Sequence, residues 1–350
     1  LTKGQNMEHF LLEGEELISY NYLIICHNIM LSLIKRANRS DWNSIKIKIK
    51  KKYINDWEKY DVEHWRLNGY RKEINKMYYQ RMFFSIWADF LDYTYEANMA
   101  ASKMKASIAY SLLRKPLKDN LYFLEVLENK GIEFMDDFLE KPIEEFSIDK
   151  IDSEEKRRVI YNTAKEVFSE AYGEALYNVR YSKKEDIGLE KIWNKTQHII
   201  TNCKHYRTED GNLNMIFNDD KNIREFITYF YHIMPTIYTY TLKLTLKILQ
   251  KLGLINEIEY IINNAITTNR YLMFSNHEED IDLDKLLNET LLICPRCYRE
   301  INNNNKNKNI LEMWYLNCPH CKKRINLDRF LFYNCHKEGN EYKKGRYGKK

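Results

Sequence analysis

Residues that break helices are rare in this chain. It has 350 residues but only 11 Gly and 5 Pro. Three prolines, Pro116, Pro142 and Pro235, are the only ones in the first 290 residues. Because β-rich folds need frequent Gly and Pro turns and long helices do not, we expect a mainly α-helical protein built as a multi-helix bundle.

The region from Tyr70 to Lys115 is the longest candidate for continuous helix. It contains no Gly or Pro, and its apolar residues recur at helical spacing. We expect two helices here, broken around Glu96–Ala101 and stopped by Pro116. The helix that follows should end at Gly131, which can form a left-handed cap.

Later helices are indicated by a capping residue and by a proline. Asp152 precedes two glutamates at positions 154 and 155, which favours a helix start, and we expect this helix to run to about Tyr181. The segment Asp219–Leu252 should form two helices broken before Pro235, because proline removes a backbone donor inside a helix.

Four cysteines near the C-terminus form two Cys-x-x-Cys pairs. Cys294 and Cys297 are followed, after twenty residues, by Cys318 and Cys321. Two such turns can place four thiolates around one tetrahedral zinc ion with no open position, which is typical of a structural site. The spacing and the strand-like segments nearby resemble zinc-ribbon modules, over about 50 residues. The resemblance implies one structural Zn²⁺ bound by these four cysteines in a small β ribbon.

Two other uses of these cysteines remain as alternatives. Cys318-Pro-His-Cys321 matches the motif of a thioredoxin-like oxidant, but that chemistry needs a preceding strand, a long following helix and no second pair. A rubredoxin-like iron site usually carries Gly after the second Cys of each turn, where this chain has Tyr298 and Lys322. Structural zinc is therefore the preferred interpretation.

These features divide the chain into four predicted parts. We expect an N-terminal helical region over residues 1–150 and a second helical region, packed with the first, over 151–288. A zinc ribbon over 289–336 and a basic tail over 337–350 should follow.

Positive charge is concentrated around and beyond the cysteines. The net charge is +5, but residues 291–350 contain 14 Lys/Arg against 5 Asp/Glu, so the first 290 residues sum to −4. Six basic residues flank the cysteine pairs: Arg296, Arg299, Lys322, Lys323, Arg324 and Arg329. Because a basic surface suits a polyanion, the leading hypothesis is a non-enzymatic binding or scaffold protein. It would contact RNA, DNA or a protein partner through the ribbon.

Arg270 and His277 carry a second hypothesis. An Arg followed after six residues by a His resembles the signature of HEPN-type helical ribonucleases, although Tyr271 replaces the polar residue that this family has after Arg. The resemblance implies a metal-independent ribonuclease acting in microbial defence. In such an enzyme His277 would act as acid or base at the ribose 2′-hydroxyl, and Arg270 would stabilise the charge of the phosphate. A third hypothesis is a non-catalytic regulatory subunit whose zinc only closes the fold.

The longest irregular segment predicted in the helical body is Thr201–Asp220, which follows a predicted helix over Leu189–Thr201, and a polar stretch from Trp193 to Phe217 overlaps both. Its polar members are His198, Asn202, Thr208, Asn212 and Asn214. Long loops within helical proteins often carry function, which makes this stretch a candidate site. The alternative is a capped connector with a turn at Asp210 and Gly211.

The seven cysteines and the lack of a visible signal peptide favour a soluble protein in the reducing cytoplasm. The most apolar segment, Leu17–Ile34, contains Asn21, His27 and Asn28. Because these polar groups are costly in lipid, we expect a buried helix here and no membrane partner. The sequence does not predict the oligomeric state.

Overall fold

The computed structural model describes residues 12–40, 42, 47, 50, 57–183, 188–203, 207–211, 213–214, 220–275, 292–293, 297, 299–301 and 315–326. Within these residues the protein is mainly helical, which confirms the prediction of an α-helical body. The α-helices are α1 (Gly14–Arg39), α2 (Val62–Trp65), α3 (Arg71–Ser102), α4 (Ala106–Lys115), α5 (Leu121–Lys130), α6 (Phe134–Glu140), α7 (Ser153–Val167), α8 (Gly173–Tyr181), α9 (Leu189–Gln197), α10 (Asp220–Lys251) and α11 (Glu257–Ser275).

Short turns of other helical types connect several of these helices. The 3-10 turns are Trp57–Lys59, Gly131–Glu133, Ile143–Phe146 and Glu170–Tyr172, and the π turns are Arg66–Tyr70 and Pro116–Asn120. The described strands are β1 (Leu292–Ile293), β2 (Glu300–Ile301), β3 (Tyr315–Asn317) and β4 (Arg324–Asn326).

One hydrophobic core joins helices from both halves of the helical body. Helix α1 packs against α3 and α10, α10 packs against α5, α7 and α11, and α3 packs against α4. The core extends from Leu12 to Ile255 along the chain and includes the fully buried rings of Trp87, Phe90 and Tyr238. The predicted boundaries of the four parts remain predictions.

Helix boundaries follow the sequence where a single residue sets them. The Asp152 side chain accepts a hydrogen bond from the Glu154 backbone N–H at 2.8 Å, and α7 begins at Ser153 as predicted. Gly131 ends α5 with φ 63° and ψ −155°, a region that only glycine adopts readily, instead of the left-handed helical angles expected. The break after α3 lies at residues 103–105, slightly later than predicted.

Of the two predictions that rested on proline, the first was confirmed only in part. Helix α4 ends at Lys115, directly before Pro116, but the π turn Pro116–Asn120 then joins it to α5 without a break in the helical backbone. The second prediction, a break before Pro235, was wrong. Pro235 lies inside the continuous helix α10. Its neighbours Met234, Ile237 and Tyr238 are buried, and each such side chain contributes about 1.5–3 kcal/mol. That burial outweighs the roughly 3 kcal/mol cost of proline inside a helix.

The single helix expected from Asp152 to Tyr181 is two helices. Helix α7 ends at Val167, where Phe168 adopts φ −131° and ψ −81°, and α8 begins at Gly173. A Cβ atom on Gly173 would lie 3.0 Å from the Tyr161 Cα, so only glycine allows this approach of α8 to α7.

Among the described helices, α1 alone is long and apolar enough to cross a membrane by length and composition. Half of its apolar window is nevertheless buried inside the protein. In that window His27 is buried and its ring lies 4.8 Å from the Tyr95 ring. The cytoplasmic location remains a prediction.

Candidate metal centre

Short antiparallel strands lie on either side of the described cysteines Cys297, Cys318 and Cys321. In the first hairpin, Leu292 pairs with Ile301 and Ile293 pairs with Glu300, so β1 and β2 flank the first cysteine pair. In the second, Asn317 of β3 pairs with Arg324 of β4, and the turn between them holds Cys318 and Cys321. Two hairpin turns that carry cysteines are the local structure that the sequence predicts.

Backbone hydrogen bonds fix the turn that carries Cys318. The Cys318 N–H donates to the Lys323 carbonyl, and the Lys322 N–H donates to the Cys318 carbonyl, both at 2.9 Å. The Cys321 N–H points to the Cys318 sulfur at 3.5 Å. Lys322 has φ 55°, a left-handed angle uncommon for a residue with a side chain, and it reverses the chain directly after Cys321. The turn therefore holds both cysteines of this pair.

Three cysteine sulfurs from the two hairpins lie together. The sulfurs of Cys297, Cys318 and Cys321 are all within 4.8 Å of one another, and those of Cys297 and Cys318 are 3.6 Å apart. A disulfide requires about 2.05 Å. Two thiolates on one tetrahedral metal, each about 2.3 Å from it, would be about 3.8 Å apart. The three cysteines can therefore hold a metal ion.

The donor set decides which metals suit the centre. Thiolate sulfur is a soft donor that favours zinc, copper(I) or iron–sulfur chemistry over magnesium or calcium. Cys318 is buried, and Cys297 and Cys321 are half-buried, so the cluster is partly shielded from water. The fourth predicted ligand, Cys294, lies outside the described residues. A fourth thiolate would complete a tetrahedral site with no position left for a substrate.

Basic side chains surround this cluster on the described surface. Arg299, Lys322, Lys323 and Arg324 are all exposed, and three of them immediately follow Cys321. The other two predicted contact residues, Arg296 and Arg329, lie outside the described residues. The hairpin geometry thus places at least four positive charges next to the cysteine turns.

The pair proposed for ribonuclease chemistry is described only in part. Arg270 lies in α11 with 8% of its surface exposed, and His277 is outside the described residues. Arg270 lies near Tyr22 and Cys26 of α1, where its positive charge favours the ionised form of both groups. Burial is the larger effect on Cys26 and raises the pKa of its thiol to about 12. Arg270 therefore belongs to the interface between α1 and α11.

The polar residues of the stretch from Trp193 to Phe217 mostly bond to the stretch itself. The Thr208 hydroxyl accepts from the Thr201 N–H and donates to the Asn214 side-chain oxygen, both at 2.7 Å. The Asn214 amide donates to the His198 carbonyl at 2.7 Å, and Trp193 is fully buried. Gly211, with φ 83°, forms the expected turn. These bonds are those of a capped connector; Asn212 and Phe217 lie outside the described residues.

One cavity of the helical body was not predicted from the sequence. It lies between α4, α5 and residues 146–149 and is lined by Arg114 and Asp119, among others. Its lining residues Arg114 and Asp149 are 35 positions apart, and no spacing motif connects them. A pattern search has no signal for such a site, since only the tertiary fold assembles it.

No protein-family model, curated protein or solved structure matches this chain.

Proposed function

We propose that the chain is a zinc-binding protein that contacts nucleic acid through its C-terminal ribbon. In this proposal Cys294, Cys297, Cys318 and Cys321 bind one structural Zn²⁺ that holds the two hairpins together. The observation that carries it is the 3.6 Å separation of the Cys297 and Cys318 sulfurs, which fits two thiolates sharing a metal. Bound zinc would supply rigidity and no catalytic step, because a site with four cysteines has no open position.

Charge favours nucleic acid over a protein as the partner. Residues 291–350 carry 14 basic and 5 acidic side chains, and the described basic residues next to the turns are exposed. Phosphates release counterions when lysine and arginine neutralise them, and this release drives binding that weakens as salt rises. A rigid turn that presents adjacent lysines, Lys322 and Lys323, suits the spaced phosphates of a strand.

The test is the salt dependence of binding, measured by fluorescence anisotropy with labelled single-stranded RNA and DNA. We expect the double variant Lys322→Gln/Lys323→Gln to bind more weakly than the unchanged chain. If each lysine contacts one phosphate, its slope of log K against log salt should be smaller by about 1.4. The matched control is Lys343→Gln/Lys344→Gln, which removes the same charge from the tail.

Equal losses in the two double variants would show that only total charge matters and would contradict a contact at the turn. Binding that does not change with salt would also contradict it. No binding to either nucleic acid would favour the regulatory-subunit hypothesis, in which the ribbon only closes the fold.

The ribonuclease hypothesis is not carried forward, because a catalytic Arg must reach phosphate and Arg270 is largely buried against α1. RNA cleavage lost in both Arg270→Ala and His277→Ala, with folding preserved, would restore it.

A further inference from the structure

The cavity beside α4 is separate from the cysteine cluster and has its own chemistry. Its volume is about 270 Å³. The C-terminal turn of α4 supplies Arg114, the π turn Pro116–Asn120 supplies Lys118 and Asp119, and α5 supplies Phe123. Residues 146–149, at the end of a 3-10 turn, close the other side.

One cation of this cavity, Lys118, is already paired with two carboxylates of the protein. The Lys118 ammonium lies 2.8 Å from a Glu190 oxygen and 3.2 Å from an Asp149 oxygen. Lys118 lowers the pKa of Asp149, which keeps that carboxylate ionised. Lys118 therefore has its counter-charges within the protein, and it keeps little capacity to bind a ligand.

Arg114 and Asp119 differ, because neither side chain has a hydrogen bond or an ion pair in the described part of the chain. Both are half-buried and line the same cavity. Burial raises the pKa of the Asp119 carboxyl, although the positive charges of Arg114 and Lys118 act in the opposite direction. Neither group has a direct hydrogen-bond partner among the described residues, so a ligand that pairs with both would add charge-assisted hydrogen bonds that the protein itself does not supply.

Of the four remaining lining residues, Ser147 is polar and the other three are apolar. Phe123 and Phe146 are half-buried, and Ile148 is buried. The Phe146 ring packs against two other aromatic rings, with its centroid 5.7 Å from that of Phe134 and 5.2 Å from that of Phe138. These contacts hold the Phe146 ring in position. The cavity thus offers one cation, one anion and an aromatic surface.

We infer that this cavity binds a small zwitterion with an apolar side chain, of the α-amino acid class. Arg114 would pair with the ligand carboxylate, Asp119 would accept hydrogen bonds from its ammonium group, and the phenylalanine rings would contact its side chain. A simple anion would be repelled by Asp119 and Asp149, and a simple cation would be repelled by Arg114. Only a ligand that carries both charges can form hydrogen bonds with both Arg114 and Asp119.

The test is isothermal titration of the full chain at neutral pH with leucine, isoleucine, valine, methionine and phenylalanine. At least one of these amino acids should bind saturably. The amine made by removing its carboxylate and the acid made by removing its amino group should each bind at least about tenfold more weakly, because each loses one charge-assisted contact. The inference is overturned if none of the amino acids saturates below about 10 mM, or if the amine or the acid binds as well as the zwitterion.

Two variants assign the contacts, with circular dichroism to check folding. Arg114→Gln should weaken binding of the amino acid and of the acid by at least about tenfold and leave binding of the amine unchanged. Asp119→Asn should weaken binding of the amino acid and of the amine and leave binding of the acid unchanged. The control Lys150→Gln removes an exposed charge beside the cavity and should change nothing. If a variant weakens binding of the amino acid, the amine and the acid all equally, the assignment of the two contacts is contradicted. The comparison of these three ligands on the unchanged chain tests the inference even if a variant fails to fold.

Discussion

A completely buried ion pair joins α5 to α8. The Glu125 carboxylate receives two hydrogen bonds from the Arg180 guanidinium, at 2.6 and 3.0 Å, and a third from the Tyr240 hydroxyl at 2.8 Å. Arg180 also donates to the Leu117 carbonyl at 2.7 Å. Neither charged side chain is exposed to solvent. Both charged groups are fully hydrogen-bonded inside the protein, and each buried charge is stabilised by the opposite charge of the other.

This dependence predicts a strong non-additivity. Glu125→Met leaves a buried guanidinium without a counter-charge, and Arg180→Met leaves a buried carboxylate, so each should lower the free energy of unfolding by about 3–5 kcal/mol. The double variant removes both charges and leaves the Leu117 carbonyl, the Tyr240 hydroxyl and the Tyr181 hydroxyl short of one bond each. Its loss should be only about 3 kcal/mol, from three unmade hydrogen bonds, and well below the sum of the two single losses.

The assay is urea unfolding followed by far-ultraviolet circular dichroism, with linear extrapolation of the free energy. The matched control is the exposed pair of Arg158 and Glu155, in which Arg158 is 65% exposed. Its single variants should each cost less than about 1 kcal/mol and should add. If the losses of Glu125→Met and Arg180→Met also simply add, the reasoning about the buried pair is refuted.

Two further substitutions test packing and charge in the same body. Lys243 is 5% exposed, lies over the Phe168 ring at 5.1 Å, and has its pKa lowered by burial. A lowered folded-state pKa penalises the folded protein at neutral pH, and the penalty fades as pH rises towards the pKa of an unfolded lysine. Lys243→Met should therefore raise the free energy of unfolding by on the order of 1 kcal/mol at pH 7 and by less at pH 9; a loss at pH 7 would contradict this. Gly173→Ala should lower it by about 1–3 kcal/mol, because the new methyl group meets the Tyr161 backbone at 3.0 Å; a neutral result in the same urea assay would contradict the close approach.

The fold class was predictable because it depends on composition and local spacing. Low Gly and Pro content predicts helices, and the Asp152 cap fixes the start of α7 through one hydrogen bond between neighbours. The behaviour of Pro235 was not predictable in this way. Proline carries a local penalty, but the burial that offsets it comes from helices distant in sequence, which no window around residue 235 contains.

The same distinction applies to the sites. Two Cys-x-x-Cys turns have a recognisable spacing because each turn brings its own cysteines together. The cavity of Arg114 and Asp119 has no such spacing, since α4, the π turn and residues 146–149 meet only in the folded chain. Arg270 shows a limit of sequence motifs, because its spacing to His277 does not reveal that α1 covers Arg270.

The metal content of the purified full-length chain tests the central proposal most directly, with zinc per chain measured by mass spectrometry for the unchanged protein, Cys294→Ser and Cys318→Ser. The control Cys203→Ser changes a cysteine of the helical body. We expect one zinc ion in the unchanged protein and the control, and substantially less in the two ligand variants. A chain without bound metal, or a Cys294→Ser protein that keeps its full zinc, would contradict a site built from four cysteines.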